Sequence, residues 1–274
     1  MKLEFKKDAL LNGINIVSKA IPSRTTMSIL ECILIDADAG EIKLTGNDME
    51  LGIETKVEGS ILERGKIALE AKLFYEIIRK LPDGDTPVTI TSDNRFNTVI
   101  ECENAVFNIQ GRDGEEFSYL PYIERDQHIS LTQFTLKEAI RQTIFSISPN
   151  DSNKMMAGEL LEVKDDFLKV VSLDGHRISI RNIQLKEHYD NHKVIVPGKT
   201  LSEISKILTG DNEKEVLIYF SKNHILFEFD DTVVVSRLID GEYFKIDHML
   251  SSDYETRVKL NKRDFMDNID RAMI

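Results

Sequence analysis

Apolar positions near the N-terminus form a short pattern that returns twice along the chain. Leu3 and Phe5 alternate with polar residues, as in a strand, and apolar residues at helical spacing follow from Leu10 onwards. The same order of positions begins again at Ile129 and at Val258. We therefore predict three copies of a strand, a turn and an amphipathic helix. The matching positions are Leu3, Phe5, Leu10 and Ile14, then Ile129, Leu131, Leu136 and Ile140, then Val258, Leu260, Phe265 and Ile269.

Two other segments support a repeat of whole domains. The apolar positions of 67–81 return in 194–208, and at the same offset the Asp-Gly-Glu sequence at Asp113 recurs at Asp240. A unit of this length is too long for a solenoid, so we interpret it as a repeated domain. The third copy reaches only its first strand and helix before Ile274. We therefore expect a chain truncated early in a third domain.

The periodicities within one repeat predict the fold class. Each half of a repeat contains a strand, a helix and further strands in antiparallel hairpins, which indicates α+β domains with only two helices each. Predicted helices cover 5–21, 72–81, 135–147, 199–208 and 259–274. Predicted strands include 50–58 followed by 66–70 in the first repeat, and 159–164 followed by 167–172 in the second. The predicted domains are 1–120 and 128–245, followed by an incomplete one at 256–274.

Composition and cysteine usage limit where the protein works. The 274-residue chain has a net charge of -12, and no apolar run approaches the roughly 18 residues of a membrane span. The N-terminus lacks the apolar core of a signal peptide. Cys32 and Cys102 lie in strand-like runs without metal-ligand spacing, so we predict buried thiols in a reducing compartment. The expected location is the cytoplasm.

The charge is unevenly distributed. The five predicted helical segments together carry +7, which leaves -19 for the rest of a chain whose total is -12. One interpretation is a basic helical surface kept apart from an acidic remainder, which would suit a nucleic-acid partner. The other is that Lys and Arg are simply good helix formers. The sequence leaves both open.

Motifs for catalysis are weak. The chain has no P-loop, GxGxxG, GxSxG, HExxH or zinc pattern, and we predict no cofactor and no metal. Asp174 and His176, in the run 172–177, could serve acid-base chemistry in a metal-dependent hydrolase or nuclease. Asp-Gly also makes a tight turn, which could pack or bind a partner. No second carboxylate or nucleophile lies beside them, so the turn is favoured.

Several segments together resemble a known family. They are MKLEF at the start, PSRTTMSIL (22–30), LTGNDMELGI (44–53), SLDGHRISI (172–180), KVIVPGKTLSEISKIL (193–208) and SRLIDGEYF (236–244). The chain is similar over its whole length to the β subunits of bacterial DNA polymerase III, the replicative sliding clamps. That resemblance implies a non-enzymatic processivity factor. It also implies three domains per chain and two chains joined head-to-tail around duplex DNA, with helices lining the hole and sheets outside.

The resemblance also implies partners and site residues. The partners would be double-stranded DNA, the polymerase III α subunit, clamp-loader subunits and other proteins with clamp-binding motifs, with no membrane involved. DNA contacts would be Arg24, Lys72, Arg79, Asn150, Lys154, Lys199 and Lys206; we add Arg141, which faces away from the apolar stripe of its helix. A peptide pocket would comprise Met156, Leu173, Gly175, His176, Arg177, Ile178, Phe244, His248 and Met249. When the chain is full length, a homodimer junction would use Phe107 and Ile109 on one side and Met273 and Ile274 on the other.

Overall fold

The computed structural model describes residues 1–148, 153–246, 249–250 and 254–274. These residues form two compact units, Met1–Gly241 and Glu242–Ile274. Among the described residues no helix is both long and apolar enough to cross a membrane.

The larger unit has two halves with related element orders. The first half contains β1 Lys2–Phe5, α1 Lys7–Val17, β2 Cys32–Asp36, β3 Lys43–Asn47, β4 Leu51–Lys56, β5 Gly59–Glu63, β6 Lys66–Glu70, α2 Ala71–Lys80, β7 Val88–Ser92, β8 Asn97–Cys102, β9 Ala105–Gln110 and β10 Arg112–Asp113. The second half contains β11 His128–Thr132, α3 Gln133–Thr143, β12 Gly158–Leu173, β13 Ile178–Pro197, α4 Gly198–Ile207, β14 Glu215–Phe220, β15 His224–Phe229 and β16 Thr232–Arg237. The smaller unit contains α5 Lys262–Ala272.

The helices of the larger unit bury the stripes that the sequence predicts. In α1 the buried side chains are Leu10, Ile14 and Val17, and in α2 they include Phe74 and Ile78. Helix α1 packs on α2, α3 packs on α4, and all four pack on strands. One core cluster of buried apolar side chains runs through both halves. The polar faces of the helices are therefore left on the surface.

A single sheet passes from one half into the other. Its order is β10-β6-β2-β3-β4-β16-β15-β14-β11, and all its neighbours are antiparallel. The halves meet where β4 pairs with β16, from Thr55 opposite Thr232 to Leu51 opposite Ser236. The hydroxyls of Thr55 and Thr232 lie 2.9 Å apart within this seam. A second sheet has the order β5-β1-β7-β8-β9, and β12 with β13 forms a long hairpin.

Three sequence predictions need correction. Strand β5 is absent from the predicted elements, and the two strands predicted at 159–164 and 167–172 form the single strand β12. The third copy forms its helix α5, capped by Asn261, but no strand at 258–260. A helix closes its own hydrogen bonds, whereas a strand needs a neighbour, and the described part of 242–274 contains no other strand. Cys32 and Cys102 are buried free thiols, as predicted.

Candidate nucleic-acid and peptide interfaces

The exposed faces of α2, α3 and α4 carry most of the predicted DNA contacts. Lys72 and Arg79 lie on α2, Arg141 on α3, and Lys199 and Lys206 on α4, all with exposed side chains. Because the apolar stripes of these helices face the core, the cations necessarily project outward. We call these five residues the helix cations.

Three of the helix cations are bound by a glutamate three residues earlier on the same helix. Glu76 accepts a hydrogen bond from Arg79 at 2.8 Å. Glu138 accepts two from Arg141, through Nε and Nη2, both at 2.7 Å. Residues three apart are neighbours on a helix surface, which explains the repeated spacing. The third pair is Glu203 with Lys206, at 2.7 Å.

These ion pairs hold the glutamates in their charged form. The hydrogen bond from Arg79 lowers the pKa of Glu76, and the hydrogen bond from Arg141 lowers the pKa of Glu138. Both carboxylates are therefore ionised at neutral pH and cancel charge that the arginines would present to an anion. Glu76 is shared, because Lys80 Nζ also lies 3.3 Å from its Oε2.

Lys72 and Lys199 occupy the same position of the repeat but have different surroundings. Among the described residues Lys72 has no ion pair, whereas Lys199 Nζ contacts Oδ2 of Asp48. Asp48 sits in the turn between β3 and β4, where its Oδ1 accepts backbone hydrogen bonds from Glu50 and Leu51. Lys199 is thus tied to the first half, and Lys72 is the helix cation without a described carboxylate partner.

The remaining predicted DNA residues lie in loops. Arg24 is exposed in the loop between α1 and β2, and Lys154 is exposed in a single helical turn, 154–157, before β12. Asn150 lies outside the described residues. Within the described part of the chain neither Arg24 nor Lys154 has an ion pair, so both cations are available to a phosphate.

Five of the predicted pocket residues lie at the turn of the β12–β13 hairpin. Leu173 ends β12 and is buried, Ile178 begins β13 and is half-buried, and the turn between them exposes His176. Gly175 has φ +88°, a conformation that favours glycine, and a Cβ there would meet nothing within 4 Å. The tip of the hairpin is therefore open. Met156 is half-buried just before β12, and Arg177 is exposed beside an exposed phenylalanine, Phe145, 5.7 Å from its ring centre.

Buried polar side chains near both ends of β12 connect that strand to the end of α3. Ser172 donates a hydrogen bond to the carbonyl of Thr143 at 2.5 Å, and Thr143 Oγ1 lies 3.0 Å from Glu159 Oε2. Glu159 is fully buried, and its Oε1 has no hydrogen-bond partner among the described residues. Burial raises the pKa of Glu159 to about 8. The carboxyl is therefore mostly protonated at neutral pH.

The other three predicted pocket residues follow the larger unit along the chain. Phe244 is half-buried and Met249 is exposed, and both belong to the smaller unit. His248 lies outside the described residues. Their membership of one pocket stays a prediction.

The predicted junction residues on the first half lie on an edge strand. Strand β9 is the last strand of the five-stranded sheet, and Phe107 and Ile109 lie on it. Phe107 is 36% exposed and its neighbour Val106 is 54% exposed. An exposed apolar edge is a surface suited to pairing with another strand. Met273 and Ile274, predicted for the other side, are exposed in the smaller unit.

The catalytic alternative receives no support from the geometry. Asp174 uses Oδ1 to accept backbone hydrogen bonds from His176 and Arg177, and Oδ2 to accept one from Arg177 Nε at 2.9 Å. The backbone bond from His176 lowers the pKa of Asp174. Its carboxylate therefore holds the turn together. Within the described ranges no group of three potential ligands could hold a metal ion.

Sequence reasoning missed the residues that modify the site. These are the three helix glutamates, Asp48 and Glu159. The glutamates could have been found from their i,i+3 spacing to a cation. Asp48 could not, because it lies in the other half of the unit, far from Lys199 along the chain.

Comparisons with known proteins cover the whole chain. Residues 1–121 match the family model for the N-terminal domain of the DNA polymerase III beta subunit, and 130–245 match the model for its central domain. The beta sliding clamp of Staphylococcus epidermidis is 35% identical over 282 aligned positions, covering 100% of this chain and 74% of the relative. A solved structure of a DNA polymerase III beta subunit from Eubacterium rectale has 65% identity and a TM-score of 0.97, covering 100% of this chain and 74% of that one. The sliding clamp of Bacillus subtilis has 34% identity and a TM-score of 0.95, covering 99% and 73%.

Proposed function

We infer that this chain, which belongs to the family of the DNA polymerase III beta subunit, is a DNA sliding clamp. The family identity confirms the resemblance found in the sequence, the α+β fold of antiparallel sheets and the non-enzymatic role. Its partners are DNA and a DNA polymerase. The observation that carries this conclusion is the match of two consecutive clamp-domain models to two halves joined by one continuous sheet.

We propose that the helix cations, Arg24, Asn150 and Lys154 contact the DNA backbone. Lys and Arg contacts to phosphates carry no sequence information and exchange readily, which suits a protein that must slide. The helix cations project on the side away from the core, which supports this assignment.

Duplex binding measured by fluorescence anisotropy tests this assignment. Two unrelated sequences should bind with the same affinity, and the affinity should fall with salt. A strong preference for one sequence, or metal-dependent cleavage of either duplex, would contradict a sliding clamp.

We propose three clamp domains in the order predicted from the repeat, at 1–120, 128–245 and, begun only, 256–274. The family matches at 1–121 and 130–245 support the first two. The third rests on the recurrence of the strand-turn-helix pattern in the sequence.

We propose that the end of the β12–β13 hairpin binds short peptides from polymerase and clamp-loader subunits. The full set would be Met156, Leu173, Gly175, His176, Arg177, Ile178, Phe244, His248 and Met249. An open glycine turn, half-buried apolar side chains and an exposed Phe145 beside Arg177 support this. Burying a Leu or Phe anchor of the peptide would contribute about 1.5–3 kcal/mol each before ordering costs.

We propose that β9 pairs with a second copy of the protein through Phe107 and Ile109, with Met273 and Ile274 on the other side of the junction. Phe107→Lys on the exposed apolar edge should weaken self-association measured by light scattering. Leu62→Lys is the matched control, because Leu62 is 52% exposed on β5, the opposite edge of the same sheet. Equal effects of the two changes would place the junction elsewhere.

A further inference from the structure

The helix cations are mostly neutralised before any DNA arrives. Four of the five have a carboxylate partner among the described residues: Glu76 for Arg79, Glu138 for Arg141, Glu203 for Lys206 and Asp48 for Lys199. Three of these partners lie on the helix that carries the cation. The surface that must meet a polyanion therefore presents far less positive charge than the five cations alone would supply.

The geometry places each glutamate so that it competes with a phosphate. In the Glu203–Lys206 pair the glutamate side chain is 18% exposed and the lysine 56%, so the carboxylate lies lower on the helix and the cation lies above it. The Glu138–Arg141 pair has the same arrangement. A phosphate approaching from solvent can reach the cation, but it must share the cation with a fixed carboxylate or displace that carboxylate.

The pairing of a glutamate with a cation recurs at equivalent helix positions of the repeat. Glu76 and Arg79 of α2 recur as Glu203 and Lys206 at the equivalent positions of α4. The pair on α3 has no charged equivalent on α1, where Asn12 and Asn15 stand at the positions of Glu138 and Arg141. Each helix of the larger unit that carries an arginine or lysine at the position of Arg79 or of Arg141 therefore also carries a glutamate three residues before it.

We propose that Glu76, Glu138 and Glu203 limit the affinity of the clamp for DNA. By binding Arg79, Arg141 and Lys206, they keep phosphate contacts on the helices weak and exchangeable, so that the protein holds DNA by encirclement and can still slide. This inference rests on the proposed DNA-binding function. The glutamates themselves need not touch DNA.

The test compares two triple substitutions with the same change in formal charge. The test variant is E76Q/E138Q/E203Q. The control variant is E54Q/E215Q/E228Q, which changes three glutamates on strands of the large sheet that pair with Lys43, Lys186 and Arg125. Binding of each full chain to a fluorescein-labelled duplex is measured by anisotropy over a range of salt concentrations. Thermal unfolding verifies that each variant is folded, and single E138Q and E228Q variants replace a triple that is not.

The helix variant should bind the duplex about tenfold more tightly at low salt. The slope of the logarithm of its binding constant against the logarithm of salt concentration should steepen by about 0.9 for each additional phosphate neutralised, and so by up to about 2.7 for three. The control variant should stay close to the wild type. Equal tightening by both variants would mean that only net charge matters and would overturn the proposal. So would a helix variant that binds like the wild type. A wild-type chain without salt-dependent binding would instead reject the DNA-binding function itself, and this inference with it.

Discussion

The two halves of the larger unit differ in chemistry at one buried position of their cores. Ile33 of β2 pairs with Leu69, and Glu159 of β12 pairs with Val196. Leu69 and Val196 are equivalent in the repeat, so Glu159 occupies the place of Ile33. Both side chains are fully buried. A carboxyl group in the second half therefore stands where the first half has a hydrocarbon side chain.

A second substitution accompanies the first. Thr143 hydrogen-bonds to Glu159, and in the register that aligns Leu10 with Leu136 it replaces Val17 at the end of the helical stripe. An apolar pair in one half has therefore become a hydrogen-bonded polar pair in the other. A buried polar group is tolerated where it has a partner, and otherwise costs its full desolvation. The comparison shows that the fold tolerates a carboxyl here because its hydroxyl partner changed with it.

Ile33→Glu should cause the largest loss of stability. The new carboxyl would lie among apolar side chains without a threonine, and we expect a loss of about 3–5 kcal/mol in the free energy of unfolding at pH 8. Urea denaturation measures this loss. Adding Val17→Thr should recover about 1 kcal/mol by supplying the missing hydrogen bond. A double variant no more stable than the single one would refute the pairing inferred from the repeat.

Glu159→Ile should stabilise the protein, because it restores the residue of the first half. The pKa of Glu159 is raised from 4.5 to about 8, so the folded state binds more protons than the unfolded state between these values. Its contribution to stability therefore falls as pH rises from 4.5 to 8. At pH 7 the cost is about 3 kcal/mol, at about 1.36 kcal/mol per pKa unit.

The matched measurement is urea denaturation of wild type and Glu159→Ile at pH 5 and pH 8. The stabilising effect should be small at pH 5 and largest at pH 8, and Glu159→Gln should remove the same pH dependence. A stability difference that does not change with pH would show that Glu159 is not protonated in the folded protein.

Peptide binding should distinguish the turns of the two halves. His176 lies in the β12–β13 turn and Met49 lies in the corresponding β3–β4 turn of the first half, and both are exposed. His176→Ala should weaken binding of a peptide with a Leu or Phe anchor by about fivefold, or about 1 kcal/mol. Met49→Ala should not. Titration of a fluorescent peptide measures both, and equal losses would remove the turn from the proposed pocket.

The smallest expected difference is in duplex affinity, between variants of Lys72 on α2 and variants of the equivalent Lys199 on α4. Lys72→Ala should weaken duplex binding about twofold and flatten the salt slope by about 0.9. Lys199→Ala should have less effect, because Asp48 already engages that lysine. Asp48→Asn should then raise the contribution of Lys199 to that of Lys72. A larger loss from Lys199→Ala would reverse this assignment.

Local and repeated features of the fold can be predicted from the sequence, whereas features set by distant residues cannot. The helices are predictable because a stripe such as Leu10 and Ile14 and the turn after α2 are encoded locally. Strand β5 escapes prediction because its burial is slight and its pairing with β1 depends on residues distant in the chain. The seam between β4 and β16 joins residues that are far apart along the chain, such as Thr55 and Thr232, so no local sequence pattern predicts it.

The candidate site likewise contains some residues that the sequence predicts and others that depend on distant contacts. The helix cations can be placed on exposed faces because the opposite stripes have to be buried. The contact between Lys199 and Asp48 requires the packing of one half on the other. Glu159 escapes notice because a lone glutamate beside Leu160 and Leu161 looks like the polar position of an ordinary strand.

The seam between β4 and β16 has a mechanical consequence. The continuous sheet resists bending at this junction, because a change of angle there would disturb the five residue pairs between β4 and β16 at once. The orientation of one half against the other is therefore fixed when the larger unit folds. Any opening that admits DNA would then have to occur outside this seam, and the proposed pairing of the edge strand β9 with a second copy is one such joint.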